Sequence, residues 1–271
     1  MNVKISFVIP SYKTPQHLLA RCVACIRKVF DGCYIRHEIL IVNDEVAQSE
    51  ARNIGLRKAT GDWIWFVDAD DEILANKELM QYLKMPDIDI LIFGMVQRWG
   101  RWGHKTFHIP SDEFSGALTR DCILEEHARI IFRSLCNKIF KRAFLVKNHI
   151  LLDEGCEPCE DGMFIMKCLQ ARAKWRRVPG IGYVYWRRLG SSLFRYCPTL
   201  EMAINKEDLF WDVLTDTLEL GSLSECKWDK TLKRKMLLTN KLLRGGKDVT
   251  LSERLYGFLL FIRRILRFFG I

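Results

Sequence analysis

The sequence predicts an α/β fold: a mixed sheet flanked by helices, followed by a C-terminal helical extension. Three observations carry this. Short, wholly apolar segments alternate with amphipathic ones in the first half; the apolar segments end in polar clusters; and beyond residue 198 apolar residues recur only at helical spacing. Strands that are apolar at every position belong to sheets covered on both faces, and ligands of such sheets meet the carboxyl ends of the strands.

Residues 5–9 read as the first strand, with Ser6 embedded in it. Thr14-Pro15 then reads as a helix N-cap followed by proline at the first helical position. Leu18, Leu19, Cys22, Ile26 and Val29 mark one apolar stripe, so a helix runs on to residue 30. Residues 37–42 form a second buried strand ending at Asn43-Asp44, residues 51–60 a helix closed by Gly61, and residues 63–67 a third strand. Residues 89–96 are again a strand. Arg98-Trp99-Gly100-Arg101-Trp102-Gly103 reads as a turn into a return strand through Ile109, which makes the sheet mixed. Residues 124–148 read as helical, a loop containing Pro158 follows, residues 160–173 form a helix and residues 181–186 a late strand.

With 271 residues, 49% of them hydrophobic, the chain is long and apolar enough for one sizeable core and an appendage, which excludes disorder as the default. The first ten residues lack the basic stretch and long apolar run of an export signal. The expected location is therefore the cytosol, and the ten cysteines read as reduced thiols. Cys22-x-x-Cys25 and Cys156-x-x-Cys159 have zinc-like spacing, but the first pair falls on a helix stripe far from the second, which argues against a shared zinc site.

The net charge of +9 is unevenly placed: residues 227–271 hold 12 Lys/Arg against 3 Asp/Glu, while the rest of the chain holds 30 of each. Leu255, Phe258, Leu259, Ile262, Ile265, Leu266 and Phe269 gather on one side of the final segment, with Arg254, Arg263, Arg264 and Arg267 around them. The segment is too short and too interrupted by arginine to span a bilayer, and it suits a helix lying on an anionic membrane surface. Residues 227–247 are basic but carry no nucleic-acid-binding motif and no aromatic interleaving, so nucleic acid is not an expected partner. The expected division is a catalytic domain at residues 1–197, a basic helical extension at 198–248 and an amphipathic membrane-surface helix at 249–271.

The chemistry concentrates at Asp68-Ala69-Asp70-Asp71. Three carboxylates at one strand end repel one another unless a cation or hydrogen-bond donors compensate. In an extended segment Asp68 and Asp70 face the same way and Asp71 turns aside, while the small Ala69 admits a close ligand. Hard oxygen ligands suit Mg2+ or Mn2+, which keep waters and bridge to substrate phosphates.

Phe7-Val8-Ile9-Pro10-Ser11-Tyr12, Ile39-Leu40-Ile41-Val42-Asn43-Asp44, Ala51-Arg52-Asn53-Ile54-Gly55-Leu56 and Ala59-Thr60-Gly61-Asp62 running into Phe66-Val67-Asp68-Ala69-Asp70-Asp71 resemble glycosyltransferase family 2. Asn137-Lys138-Ile139-Phe140-Lys141-Arg142, Asn148-His149-Ile150, Glu160-Asp161-Gly162-Met163-Phe164 and Tyr183-Val184-Tyr185-Trp186-Arg187 resemble its second half in order and spacing. The resemblance spans residues 3–195 and implies a Rossmann-like GT-A fold of the bacterial surface-polysaccharide type. It implies that Pro10, Ser11, Tyr12 and Asp44 hold the nucleotide base and that Arg52 and Asn53 flank the donor. Asp68, Ala69 and Asp70 form the DXD segment, with Asp70 the principal metal ligand and Asp68 on donor and metal.

The implied reaction is metal-dependent, inverting transfer from a nucleotide-sugar, UDP-linked by preference, to a hydroxyl of a glycan or lipid-linked acceptor. Such transfer needs a carboxylate that takes the acceptor proton. Glu160 and Asp161 are the candidates. Consecutive helical residues diverge by about 100°, so at most one faces the acceptor. The resemblance selects Asp161 and leaves Glu160 to the helix start, where an acidic side chain meets unpaired N–H groups. Arg187 has the fork geometry to reach the donor diphosphate or an acceptor phosphate. One departure bears on the nucleotide. Only residues 45–50 separate Asp44 from the Ala-Arg-Asn block, where the family usually has Gly-Ser, a helix and a strand, so base recognition passes to other loops. A non-catalytic glycan- or partner-binding protein of the same fold is the alternative, and oligomerisation is left open.

Overall fold

The computed structural model describes residues 3–43, 45–98, 103–107, 115–116, 134–154 and 160–186. Apart from residues 103 and 104, the described residues form one compact unit. Its elements are β1 (Lys4–Pro10), α1 (Gln16–Phe30), β2 (Arg36–Val42), α2 (Gln48–Lys58), β3 (Trp63–Phe66), β4 (Glu72–Ile73), α3 (Lys77–Tyr82), β5 (Ile90–Arg98), β6 (His104–Phe107), β7 (Ser115–Gly116), β8 (Lys138–Lys141), α4 (Arg142–Lys147), α5 (Glu160–Gln170) and β9 (Trp175–Trp186). The sheet order is β2-β1-β3-β8-β5-β9-β4, with β6 on β5 and β7 on β9.

The expected mixed sheet is present. β1 runs parallel to β2 and β3, β8 is antiparallel to both β3 and β5, β9 is parallel to β5 and β4 antiparallel to β9. Because neighbouring residues of a strand point to opposite faces, each strand serves two layers of core. On one face Phe7, Trp65 and Phe93 pack in a row, with centroids 5.5 and 5.0 Å apart, and Phe30 of α1 stands 5.1 Å from Phe7. On the other face Phe66, Phe140 and Phe164 of α5 form an edge-to-face trio at 5.2 to 5.9 Å. α2 lies on β1 and β2, and Gly55 sets its distance. A Cβ at Gly55 would stand 2.3 Å from Val8 Cγ1, so only glycine lets this helix come so close.

Several expectations are corrected. The helical reading of 124–148 fails at its end: residues 138–141 are strand β8, inserted between β3 and β5, and only Arg142–Lys147 is helical among the described residues. Four residues are too few to distinguish a buried strand from a helical turn by periodicity. β9 starts at Trp175, six residues before the expected strand. Arg176, Arg177 and the Pro179-Gly180 pair conceal it, and there the register against β5 shifts between Ile92 and Gly94. Gly180 takes φ 84°, and Asn76 Nδ2 donates to the Pro179 carbonyl at 2.9 Å. β4 and α3 are too short to leave a pattern. At α1, Pro15 occupies the cap position itself and no side chain caps the helix. No helix among the described residues is long and apolar enough to cross a membrane. The extension at 198–248 and the segment at 249–271 lie outside the described residues.

Candidate active site

Parallel pairing of β1 with β2 and β3 brings three carboxyl ends to one rim. The ladder continues one residue past β1 and β3: the Ser11 N–H donates to the Val42 carbonyl at 2.8 Å, and the Val67 N–H to the Val8 carbonyl at 3.0 Å. Ser11 is thereby buried, Pro10 is half-buried and Tyr12 is exposed, with the Lys13 ammonium 4.7 Å from its ring centroid. Asp44 and Arg187 lie outside the described residues.

The acidic segment is a turn, not the extended run expected. The Asp71 N–H donates to the Asp68 carbonyl at 3.0 Å, so alternation does not decide which carboxylates face together. Ala69 is buried, and Asp68 and Asp70 are half-buried. Asp71 turns fully inward. Its Oδ2 accepts from the Tyr183 hydroxyl and its Oδ1 from the Trp186 N–H, both at 2.8 Å, while the Tyr183 oxygen accepts from the Asp68 N–H at 3.1 Å. Burial, reinforced by Asp68 and Asp70, pushes the Asp71 carboxyl well above the usual carboxylate range. Asp71 therefore anchors the turn to β9. From α1, Arg21 Nη2 donates to the Asp70 carbonyl at 2.8 Å and Nε lies 3.0 Å from Glu72.

Arg52 joins the two halves of the site. Held on α2, with its side chain only 4% exposed, it places Nη2 3.0 Å from Asp68 Oδ1, and Nη1 2.8 Å from Asp161 Oδ1 and 3.4 Å from Glu160 Oε1. A guanidinium removed from water persists only when paired, and burial works against its charge here. Asp161, Asp68 and Glu160 outweigh that and hold its pKa above the usual arginine value. Gln48 Nε2 also donates to Asp68 Oδ1, at 3.3 Å. Both donors land on Oδ1. Asp161 Oδ2 accepts from the Leu135 N–H at 3.2 Å. Burial raises the Asp161 pKa, and Arg52, the Leu135 N–H and Lys138 pull against that rise.

Asn53, expected to flank the donor, is buried and bonded to the chain at 152–154. Its Nδ2 donates to the Leu152 carbonyl at 2.9 Å and to Glu154 Oε1 at 3.0 Å, and its Oδ1 accepts from the Leu152 N–H at 2.9 Å. It fixes the chain at 152–154. Glu160, expected at a helix start, does open α5, and it also faces Arg52. Sequence reasoning missed Gln48, Leu135, Lys138 and Tyr183. Lys138 and Tyr183 do leave a signal, since both stand within segments that resemble the family, but the resemblance assigns neither a role.

Among the described residues, no group of three or more His, Cys, Asp or Glu is disposed to hold a metal ion, so there is no cage built wholly of side chains. Asp68 and Asp70 nonetheless fit a hard divalent cation, since Mg2+ and Mn2+ in phosphate-bearing sites take one or two carboxylates and complete their shell with waters and substrate oxygens.

A mixed sheet with an acidic turn at its parallel strand ends, tied through one arginine to the first turn of a later helix, has the layout of a GT-A fold. Residues 45–147 match the model of glycosyl transferase family 2. The chain is 26% identical over 194 residues to the poly(ribitol-phosphate) beta-N-acetylglucosaminyltransferase TarS of Staphylococcus aureus, a match covering 61% of this chain and 32% of TarS. The chain thus spans about a third of that relative's length. Among solved structures it resembles S. aureus TarS 1-349 in complex with UDP-GlcNAc, at 17% identity and a TM-score of 0.58 over 94% of this chain and 78% of that one. It also resembles GalNAc-T7 with UDP, GalNAc and Mn2+, at 17% identity and a TM-score of 0.50 over 86% of this chain and 55% of that one.

Proposed function

We propose that the protein is a metal-dependent, inverting glycosyltransferase that moves a sugar from a UDP-sugar to a hydroxyl of a glycan or lipid-linked acceptor in cell-surface polysaccharide synthesis. One observation carries this reading: a single buried guanidinium, Arg52, contacts the donor-side Asp68 and the helix-borne Asp161 at once. The two carboxylates that the reaction needs therefore stand on either side of one fixed cation. TarS, the relative named above, is an N-acetylglucosaminyltransferase and its structure holds UDP-GlcNAc, which supports UDP-GlcNAc as the first donor to test.

Asp70 and Asp68 would hold the divalent ion, Mn2+ or Mg2+, which when bound would neutralise charge on the departing diphosphate. Tyr12, exposed on the rim beyond β1, offers its ring to the nucleotide base. Asp161 takes the proton from the acceptor hydroxyl, that oxygen attacks the anomeric carbon from the face opposite the leaving group, and UDP departs with the bonding pair. Arg52 favours the ionised form of Asp161 for this step and restrains Asp68 until a donor arrives.

The test is release of UDP from UDP-GlcNAc, with GDP- and other nucleotide-sugars in parallel, with Mn2+, with Mg2+ and with chelator. Turnover that requires the metal and falls by about a hundredfold or more in Asp70→Ala is expected, a loss in the range for removing charge stabilisation of a leaving group. Metal-independent turnover, or no donor binding with any nucleotide-sugar, would sink the reading.

A further inference from the structure

Lys138 is the large buried group that the proposed reaction does not use. It opens β8, its side chain is wholly inaccessible, and its ammonium donates to the Ser134 carbonyl and, at 2.9 Å, to Asn137 Oδ1. Both acceptors belong to the turn that enters the strand. Three carbonyls of that turn are also engaged: that of Leu135 accepts from the Lys138 N–H at 3.0 Å, that of Cys136 from Trp65 Nε1 at 2.8 Å, and that of Asn137 from the Phe93 N–H at 3.2 Å. Two donors of the turn are directed out of it: Asn137 Nδ2 donates to the Phe93 carbonyl at 3.3 Å, and the other is the Leu135 N–H. The Leu135 N–H meets Asp161 Oδ2 at 3.2 Å.

We propose that Lys138 is a positioning residue for Asp161: its buried ammonium closes the turn at 134–137 from within, and so fixes the Leu135 N–H that holds Asp161 Oδ2 opposite Arg52. The inference rests on the reading of Asp161 as the base. A neutral side chain could close such a turn without the cost of a desolvated cation, so a lysine here calls for a carboxylate partner. The charged and titratable groups around the pair are Arg52 from α2, Asp68 from the acidic turn, Cys136 beside Lys138 and Cys168 on α5. Burial draws the Lys138 pKa down to about 7 against the pull of Cys136, Asp161 and Cys168. Burial holds the Cys136 and Cys168 thiols above their ordinary range, which leaves Asp161 as the carboxylate that answers this ammonium.

The experiment uses the full chain and UDP-GlcNAc with Mn2+, comparing Lys138→Met, Lys138→Arg and Asp161→Asn with the wild type by turnover, calorimetric donor affinity and thermal melting. Lys138→Met should bind the donor within about twofold of wild type, because Lys138 touches neither Asp68 nor Asp70. Its kcat should fall by about tenfold or more, since a misplaced base costs that much. The acid limb of kcat should move to higher pH, because losing a cation makes Asp161 easier to protonate. Lys138→Arg, which keeps the charge, should restore the limb. A purely structural lysine would lower the melting temperature and leave the limb in place, and that result overturns the proposal. Loss of a cooperative melt in both lysine variants overturns it equally. Full activity in Asp161→Asn, or no turnover by the wild type, refutes the base reading itself; an inactive Asp161→Asn beside an unaltered Lys138→Met refutes only the role of Lys138.

Discussion

At the scale of single residues, similar side chains have been put to different uses by burial. Asp68, Asp70 and Asp71 are adjacent in the chain, yet Asp71 is consumed by Tyr183 and Trp186 while Asp68 stays half-exposed beside Arg52. The three do not form a symmetric metal cluster. One is a fastening, and the other two are half-buried. Arg52 is the residue on which this asymmetry turns, because it contacts carboxylates 16 and 109 positions away with the two ends of one planar group. Arg52→Gln should lower kcat/KM by about a hundredfold, since both the donor-side and the base carboxylate lose their restraint. It should also reduce the stability to unfolding by about 3 kcal/mol, the size typical of breaking a buried pair from one side. Steady-state rates and urea melts check both, and wild-type values in both would refute the bridging role.

At the scale of elements, the site depends on how closely α2 and the strand ends approach. Gly55 sets α2 against Val8, and the opposite end of β1 is tied by Glu38 of β2. Glu38 accepts from Lys4 Nζ at 2.8 Å, Ser6 Oγ at 2.6 Å and the Thr60 N–H at 2.7 Å, so one carboxylate clasps β1, β2 and the chain entering β3. Burial alone would raise its pKa, but these donors together bring it down to about 2. The sign follows: an acid whose folded pKa lies below its unfolded value stabilises the fold above the unfolded pKa and loses that contribution as pH falls through the folded one. Wild type should therefore lose stability relative to Glu38→Gln between about pH 4.3 and pH 2. Urea unfolding across that range measures it. Parallel curves for the two proteins would show that the clasp adds nothing.

At the scale of the molecule, the chain divides by charge into a balanced catalytic body and a strongly basic end. The segment at 249–271 joins an apolar stripe to four arginines, a composition suited to anionic lipid headgroups, and an enzyme acting on lipid-linked acceptors gains from lying where they are. Deleting 249–271 should abolish co-sedimentation with phosphatidylserine-containing vesicles and leave the release of UDP from UDP-GlcNAc in solution within about twofold, in line with an interfacial anchor that carries no chemistry. Undiminished vesicle binding would remove the membrane role from this segment.

Much of the site is legible before any folding is considered. Apolar runs that end in polar residues identify β1, β2 and β3 and the rim where they finish, and motif order marks Arg52, Asp68, Asp70 and Asp161 as the residues to watch. These signals are local: strand burial, turn chemistry and spacing are properties of a few neighbouring residues. What the tertiary structure alone decides is which polar groups meet across long separations. Tyr183 reaches Asp71 over 112 positions, and Asn53 is drawn over 99 positions to Leu152. Leu135 becomes a contact of Asp161 because residues 138–141 enter the sheet as β8 between β3 and β5. A buried polar group must find a partner, but its own neighbourhood in the chain does not specify which one; that choice belongs to the packed sheet.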